Sequence, residues 1–155
     1  MKSLLPHKLL QIAFVVDDVD KYLSVYAKLF GIETPATSVT GTHEETQSLY
    51  RGEPTDGRAR VGYISLDNIL LEFIEPTGGP SVWQDSLDKN GNGIHHLAFI
   101  VDGVKQVIGD LEEFGLPLLQ HGIFPPAGNA PSGKYAYLKG FDQLGFDIEL
   151  LEFDA

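Results

Sequence analysis

Residues 10–19 read LQIAFVVDDV and residues 95–104 read HHLAFIVDGV, two copies of one pattern in one chain. Ala13 aligns with Ala98, Phe14 with Phe99, Val16 with Val101, Asp17 with Asp102 and Val19 with Val104, while Gln11 falls on His96. Each copy runs into a helix-like stretch that stops at a glycine, Phe30-Gly31-Ile32 in the first half and Phe114-Gly115-Leu116 in the second. Each half also closes on a similar strand: Leu71-Glu72-Phe73-Ile74-Glu75 resembles Ile148-Glu149-Leu150-Leu151-Glu152, so Glu72 falls on Glu149. A repeat of this kind fixes the architecture before any single element is read, because each unit must bury its apolar face against its copy.

The second copy belongs to the run Gly93–Asp102, GIHHLAFIVD. Bounded by Gly and Asp, this short apolar run predicts a buried strand. Strict alternation puts His96, Ala98 and Ile100 on one face and sends His95 to the other, packed beneath the helices. On this strand alone His96 reads as a satisfied core histidine.

Asp17 or Asp18 caps a helix running to about Phe30, which Gly31 ends. Residues 33–57 are polar and predict one strand near Thr46–Tyr50 and a mobile loop at Gly52–Gly57. Val61–Leu66 and Ile69–Ile74 flank Asp67-Asn68, a hairpin signal. Pro76–Pro80 reads as a linker, and Ser81 caps a helix over Val82–Lys89 that carries the single Trp. The turn Asn90-Gly91-Asn92-Gly93 opens the second half, with a helix at Val104–Phe114, a Gly/Pro loop at Gly122–Gly133, and strands at Lys134–Lys139 and Phe146–Glu152. Each half reads βαβββ and the class is α+β. The 155 residues suit a single domain of two modules, about 8–76 and 93–153, joined by a linker and short helix at 77–92.

The net charge of −11 opposes phosphate backbones and argues against nucleic acid as a partner. No run is long and apolar enough to span a membrane. The absence of Cys excludes a disulfide framework and a thiol nucleophile. The expected location is cytoplasmic.

Gln11, Glu72, His96 and Glu149 are the four positions the repeat singles out, one from the first and one from the last strand of each half. A pseudo-twofold axis brings equivalent positions together. Taken singly, Glu72 and Glu149 read as solvent-facing residues of half-exposed strands. Taken as a set, two carboxylates, an imidazole and an amide oxygen are a ligand set for one divalent cation.

With these residues the chain resembles the vicinal oxygen chelate superfamily over about residues 8–153, most specifically at GIHHLAF and the two Glu-bearing strands. The resemblance implies paired βαβββ modules forming a cupped sheet around one divalent ion (Zn, Ni, Co or Mn) held by Gln11, Glu72, His96 and Glu149. The Gln/Glu/His/Glu set is similar to that of glyoxalase I. The Trp83 helix followed by NGNGIHHLAF looks more like methylmalonyl-CoA epimerase, which usually has His at the Gln11 position and Gln at the Glu72 position. Glutathione-dependent glyoxalases carry Arg and Asn where this chain has Val15 and Pro76. The epimerases add a carboxylate from the strand before the central hairpin, where Glu44, Glu45 and Glu53 are the candidates. The implied function is a metal-dependent lyase, isomerase or epimerase that transfers a proton next to a carbonyl of a small thioester or 2-oxoaldehyde adduct, with Glu149 and Glu72 as catalytic carboxylates. The alternatives are a bleomycin-resistance-type binding protein without catalysis, and a metal-dependent transferase or dioxygenase. Relatives imply a homodimer and a small-molecule substrate.

Weaker candidates are Tyr135 and Tyr137 on one strand face, His121 with the Phe124–Gly133 loop as a gate over the site, and His43 with Glu44 and Glu45 as a second metal site. For each of these the default is packing or a solvated connector.

Overall fold

The computed structural model describes residues 1–155. In chain order the first module comprises β1 (Gln11–Val15), α1 (Val19–Phe30), β2 (Ser38–Val39), α2 (His43–Thr46), β3 (Leu49–Tyr50), β4 (Glu53–Pro54), β5 (Arg58–Ser65) and β6 (Leu70–Gly78). After α3 (Val82–Asn90) the second comprises β7 (Gly93–Ile100), α4 (Val104–Phe114), β8 (Leu118–Phe124), β9 (Gly133–Leu138), α5 (Phe141–Leu144) and β10 (Asp147–Phe153). Stripped of the 43–54 insertion and of α5, each module is βαβββ, as the repeat requires.

All ten strands form one sheet, ordered β2-β5-β6-β1-β7-β10-β9-β8-β3-β4. The modules join edge to edge where β1 runs antiparallel to β7. Each of these strands has a parallel partner on its other side, β6 for β1 and β10 for β7. The insertion of the first module reaches across and adds β3 to the far edge, against β8. In a flat sheet β2 and β3 would lie roughly 38 Å apart, at about 4.8 Å per strand. Residues 40–48 connect them, and these include the helical turn α2, which takes up length. The sheet therefore curls into a half-barrel with a concave inner face.

Two helices cover the convex face. Asp18 caps α1 by accepting from the Lys21 amide at 3.1 Å, and Gly31 ends it in the left-handed conformation, φ 66°. Val19 and Leu23 pack on Ile64, Leu71 and Phe73. The helix can sit this close because β5 presents Gly62 beneath it; a Cβ there would stand 2.4 Å from Leu23 Cδ1. Helix α4 has no side-chain cap of its own, and Glu152 of β10 accepts from the Val104 amide at 2.9 Å instead. Val104 and Leu111 of α4 pack on Ala136, Leu138, Ile148 and Leu150.

The third apolar cluster lies inside the curl. Ala13, Val15, Ala59, Val61 and Ile74 meet Val82 and Trp83 of α3, which closes one end of the half-barrel. Ser81 caps α3 through the Gln84 amide, and Gln120 of β8 accepts from the Val82 amide at 3.0 Å.

Four expectations need correction. The strand expected at Thr46–Tyr50 is divided between α2 and the two-residue β3, and the loop expected at Gly52–Gly57 contains β4. Its backbone is tied down, Thr55 by an amide bond to Ser48 O and a hydroxyl bond to Pro80 O. β6 continues to Gly78 and takes up most of the expected linker, because β5 pairs with it as far as Arg58. Of the loop expected at Gly122–Gly133, Gly122, Ile123 and Phe124 belong instead to strand β8, paired with β9, and β3 pairs with Gln120 and His121 just before them. No helix is long and apolar enough to cross a membrane.

Leu23 is fully buried whereas Leu29 on the same helix is 73% exposed. Leu23→Ala is expected to cost about 2–5 kcal/mol in urea denaturation, and Leu29→Ala no more than about 0.5 kcal/mol. Equal losses would mean that α1 does not pack on the sheet by this face.

Candidate functional site

The four strands at the centre of the sheet, β6-β1-β7-β10, each carry one of Glu72, Gln11, His96 and Glu149. The ladder explains how they meet. Ala13 pairs with Glu72 on one side and with His96 on the other, and Ala98 pairs with Gln11 and with Glu149. The two repeat-related alanines are thus the inner-face neighbours of all four residues. They fill the space between them with no more than a methyl group.

All four residues are at least nine-tenths buried. His96 Nε2 lies 3.0 Å from Glu149 Oε2 and 3.5 Å from Glu72 Oε1. One donor atom from each of Glu72, His96 and Glu149 falls within a cluster 4.8 Å across. Gln11 Oε1, Glu72 Oε1 and His96 Nε2 are buried without an aligned hydrogen bond. Buried polar atoms are nearly always satisfied, so orphans gathered in one place mark a site built for something else. An oxygen-rich set completed by one imidazole fits a divalent cation.

The electrostatics agree with that fit. Burial depresses the His96 imidazolium, but Glu149 and then Glu72 outweigh it and raise its pKa to about 9. Burial pushes the Glu149 carboxyl up, with His96 opposing. Two buried carboxylates need positive charge between them, and in the metal-free protein a proton on His96 supplies it. A cation would compete for the same position.

Two tyrosines flank the carboxylates. Tyr137 pairs with Glu149 on β9, and Tyr63 pairs with Glu72 on β5. Tyr137 is buried, accepts a hydrogen bond from Trp83 Nε1 at 3.1 Å, and has its ring centroid 5.0 Å from that of His96. Burial pushes its phenol well up, reinforced by both glutamates. Tyr63 is 43% exposed, and its phenol is raised chiefly by Glu72. Sequence reasoning missed Tyr63. Extending the repeat into the hairpins would have found it, since both glutamates face a Tyr across the ladder.

His95 does not pack beneath the helices. Ala13 pairs with His96 but Phe14 pairs with Ile94, so His95 is the extra residue of a β-bulge. A bulge breaks the alternation of faces, and both imidazoles end up on the inner side. Their rings lie 5.0 Å apart, nearly perpendicular, and Tyr137 packs against each. Burial, then His96, keeps His95 from charging.

The remaining candidates lie elsewhere. His43 Nδ1 bonds Ser48 O, and Glu45 caps α2 through the Thr42 amide, so no second metal cluster forms there. Glu44 and Glu53 are exposed and stand outside the cluster. His121 is held in the β8 ladder opposite Leu49 and Ala136. Val15 is buried in the apolar cluster under α3, which leaves no room for the arginine of glutathione-dependent glyoxalases. Tyr135 bonds Ser48 and Gln120, anchoring the insertion to the second module.

Residues 10–137 match the family model described as the glyoxalase/bleomycin resistance protein/dioxygenase superfamily. An ethylmalonyl-CoA/methylmalonyl-CoA epimerase of Cereibacter sphaeroides is 27% identical over 144 residues, 92% of this chain and 96% of that protein. The uncharacterized protein YqjC of Bacillus subtilis is 27% identical over 104 residues, 67% of this chain and 72% of that protein. The crystal structure of methylmalonyl-CoA epimerase from Mycobacterium tuberculosis superposes with a TM-score of 0.63 at 21% identity, covering all of this chain and 93% of that one. At that identity the likeness shows the fold.

The His96 shift predicts a pH signature for metal-free protein. A folded pKa of about 9 against 6.5 means that the stabilisation is complete below pH 6.5 and is lost as pH rises through 9. The loss is on the order of 3 kcal/mol. In chelator the melting temperature is therefore expected to fall between these values, and His96→Ala is expected to flatten that slope. A slope unchanged in the variant would separate His96 from the two carboxylates.

Proposed function

This chain belongs to the glyoxalase/bleomycin resistance/dioxygenase superfamily, and we propose that within it the protein is a divalent-metal-dependent enzyme that transfers a proton next to a substrate carbonyl. Its substrate class is a small acyl thioester or 2-oxoaldehyde adduct, with epimerisation the leading reaction and a glyoxalase-type isomerisation the second. The observation that carries this reading is the buried cluster of Glu72, His96 and Glu149, in which Glu72 Oε1 and His96 Nε2 lack aligned hydrogen bonds, with the unpartnered Gln11 Oε1 on the neighbouring strand. The epimerases among its relatives support the first reaction over the second.

Gln11, Glu72, His96 and Glu149 would hold the cation, of the Zn, Ni, Co or Mn type. When bound, it polarises the substrate carbonyl and stabilises the negative charge that develops on the oxygen. Glu149 takes the proton from the carbon next to the carbonyl. Glu72, on the other side of His96, takes up a proton from solvent and gives it to the opposite face, which inverts the carbon, and Glu149 then releases to solvent the proton it took, so that both carboxylates are restored. Delivery to the neighbouring carbon instead gives the isomerase outcome. A carboxylate on a cation is a weak base, so the one that moves the proton must be loosely held. Glu72 and Glu149 are assigned these roles because Glu44, Glu45 and Glu53 lie outside the cluster. Trp83 and Tyr137 close the site from the α3 end and exclude water there, and Tyr63 offers a hydroxyl at the exposed side beside Glu72.

Elemental analysis of protein purified without a metal-binding tag is expected to find close to one equivalent of a divalent metal, lost in Glu149→Ala. Wild-type protein incubated with methylmalonyl-CoA in deuterium oxide is expected to incorporate deuterium next to the thioester carbonyl, and Glu149→Gln to lose that exchange by about 100-fold or more. Unchanged metal content in Glu149→Ala would overturn the metal set. Metal binding without exchange into any thioester or 2-oxoaldehyde adduct would leave a binding protein.

A further inference from the structure

The bulge that turns His95 inward also points it at the back of His96. The two Nδ1 atoms are 2.8 Å apart, both rings are fully buried, and the far nitrogen of His95, Nε2, faces Asp147 Oδ2 at 3.5 Å. The other oxygen of Asp147 accepts from the amides of Gly140 at 2.9 Å and Phe141 at 3.3 Å, so the carboxylate is fixed in place from behind.

Two nitrogens that close must share one hydrogen, since two bare atoms repel and two N–H groups clash. His96 turns Nε2 toward Glu149 and Glu72. An imidazole that uses Nε2 as a ligand carries its hydrogen on Nδ1. His95 Nδ1 must then accept it, which leaves the His95 hydrogen on Nε2, facing an acceptor-only carboxylate. The close Nδ1 pair sets this direction, and the approach of Asp147 to His95 Nε2, 3.5 Å and without an aligned hydrogen bond, lies where that direction needs an acceptor.

We propose that His95 and Asp147 are positioning residues for His96: together they hold its Nδ1 hydrogen in place, keep Nε2 free and orient the ring toward the cation site. The assignment rests on the metal reading of the Glu72, His96 and Glu149 cluster. It gives the bulge a purpose, since a regular strand would send His95 to the convex face and leave His96 Nδ1 without a partner. Partners of this kind behind metal-binding histidines typically govern affinity by about 10- to 100-fold.

Asp147→Asn tests the direction of the chain. The asparagine oxygen still satisfies Gly140 and Phe141, so its NH2 is turned toward His95 Nε2. Donor then meets donor, His95 must move its hydrogen to Nδ1, and that hydrogen opposes the one on His96. Zn²⁺ affinity, measured by chelator competition, is expected to fall by about 10- to 100-fold in Asp147→Asn and in His95→Leu. Long-range ¹H–¹⁵N NMR of zinc-loaded wild-type protein gives a second readout that does not depend on any variant folding. It is expected to find hydrogen on His96 Nδ1 and His95 Nε2, with His95 Nδ1 bare. Hydrogen on His95 Nδ1, or an Asp147→Asn affinity within about twofold of wild type, would overturn the pairing and leave the metal site standing. Wild-type protein that takes up no Zn²⁺ would overturn the site and the pairing together.

Discussion

Glu72 and Glu149 approach one imidazole from two sides in a place that water does not reach. Burying two carboxylates together costs several kcal/mol each unless positive charge lies between them. Much of the inner face is arranged around that requirement. The β1–β7 seam brings the four residues into one patch, Ala13 and Ala98 leave the space between them open, and α3 seals one end with Val82 and Trp83. A proton on His96 meets the electrostatic requirement only partly, because it supplies one charge where two are called for. A divalent ion among two carboxylates, a neutral imidazole and a neutral amide balances the site to zero.

The repeat explains how so specific a cluster arises. Each module contributes one residue from its first strand and one from its last, and the antiparallel seam relates the two pairs by an approximate twofold. The symmetry is not exact at the cluster. Gln11 and His96 are equivalent by position but differ in kind, and Tyr137 is sealed under Trp83 whereas its counterpart Tyr63 stays half-exposed beside Glu72. Glu72 and Glu149 are buried alike but face different phenols, one half-exposed and one sealed.

The sequence made the modules and the four site positions legible because both rest on periodicity and repetition. Asp18 and Gly31 announced the ends of α1, and the match of Glu72 to Glu149 announced the strands that meet at the cluster. His95 was not legible, because alternation assumes a regular ladder and a bulge in β7 has no local signature in GIHHLAF. Residues 40–57 were not legible for a different reason. The strands β2, β3 and β4 are two residues long, too short for a period, and are held by distant partners such as Tyr135 and Pro80. β8 was hidden by Gln120, His121 and Gly122. Gln120 points into the curl to satisfy α3, and Gly122 is needed because a Cβ there would meet Ser48 Oγ at 2.8 Å.

One divalent ion is proposed to sit among these four side chains. Anomalous diffraction from crystals of the protein loaded with Zn²⁺ and collected at the zinc edge tests it most directly. The account predicts one strong peak per chain, about 2.0–2.2 Å from His96 Nε2 and from oxygens of Glu72, Glu149 and Gln11. A peak bound elsewhere, with hydrogen-bonded water filling the space between the two glutamates, would contradict it.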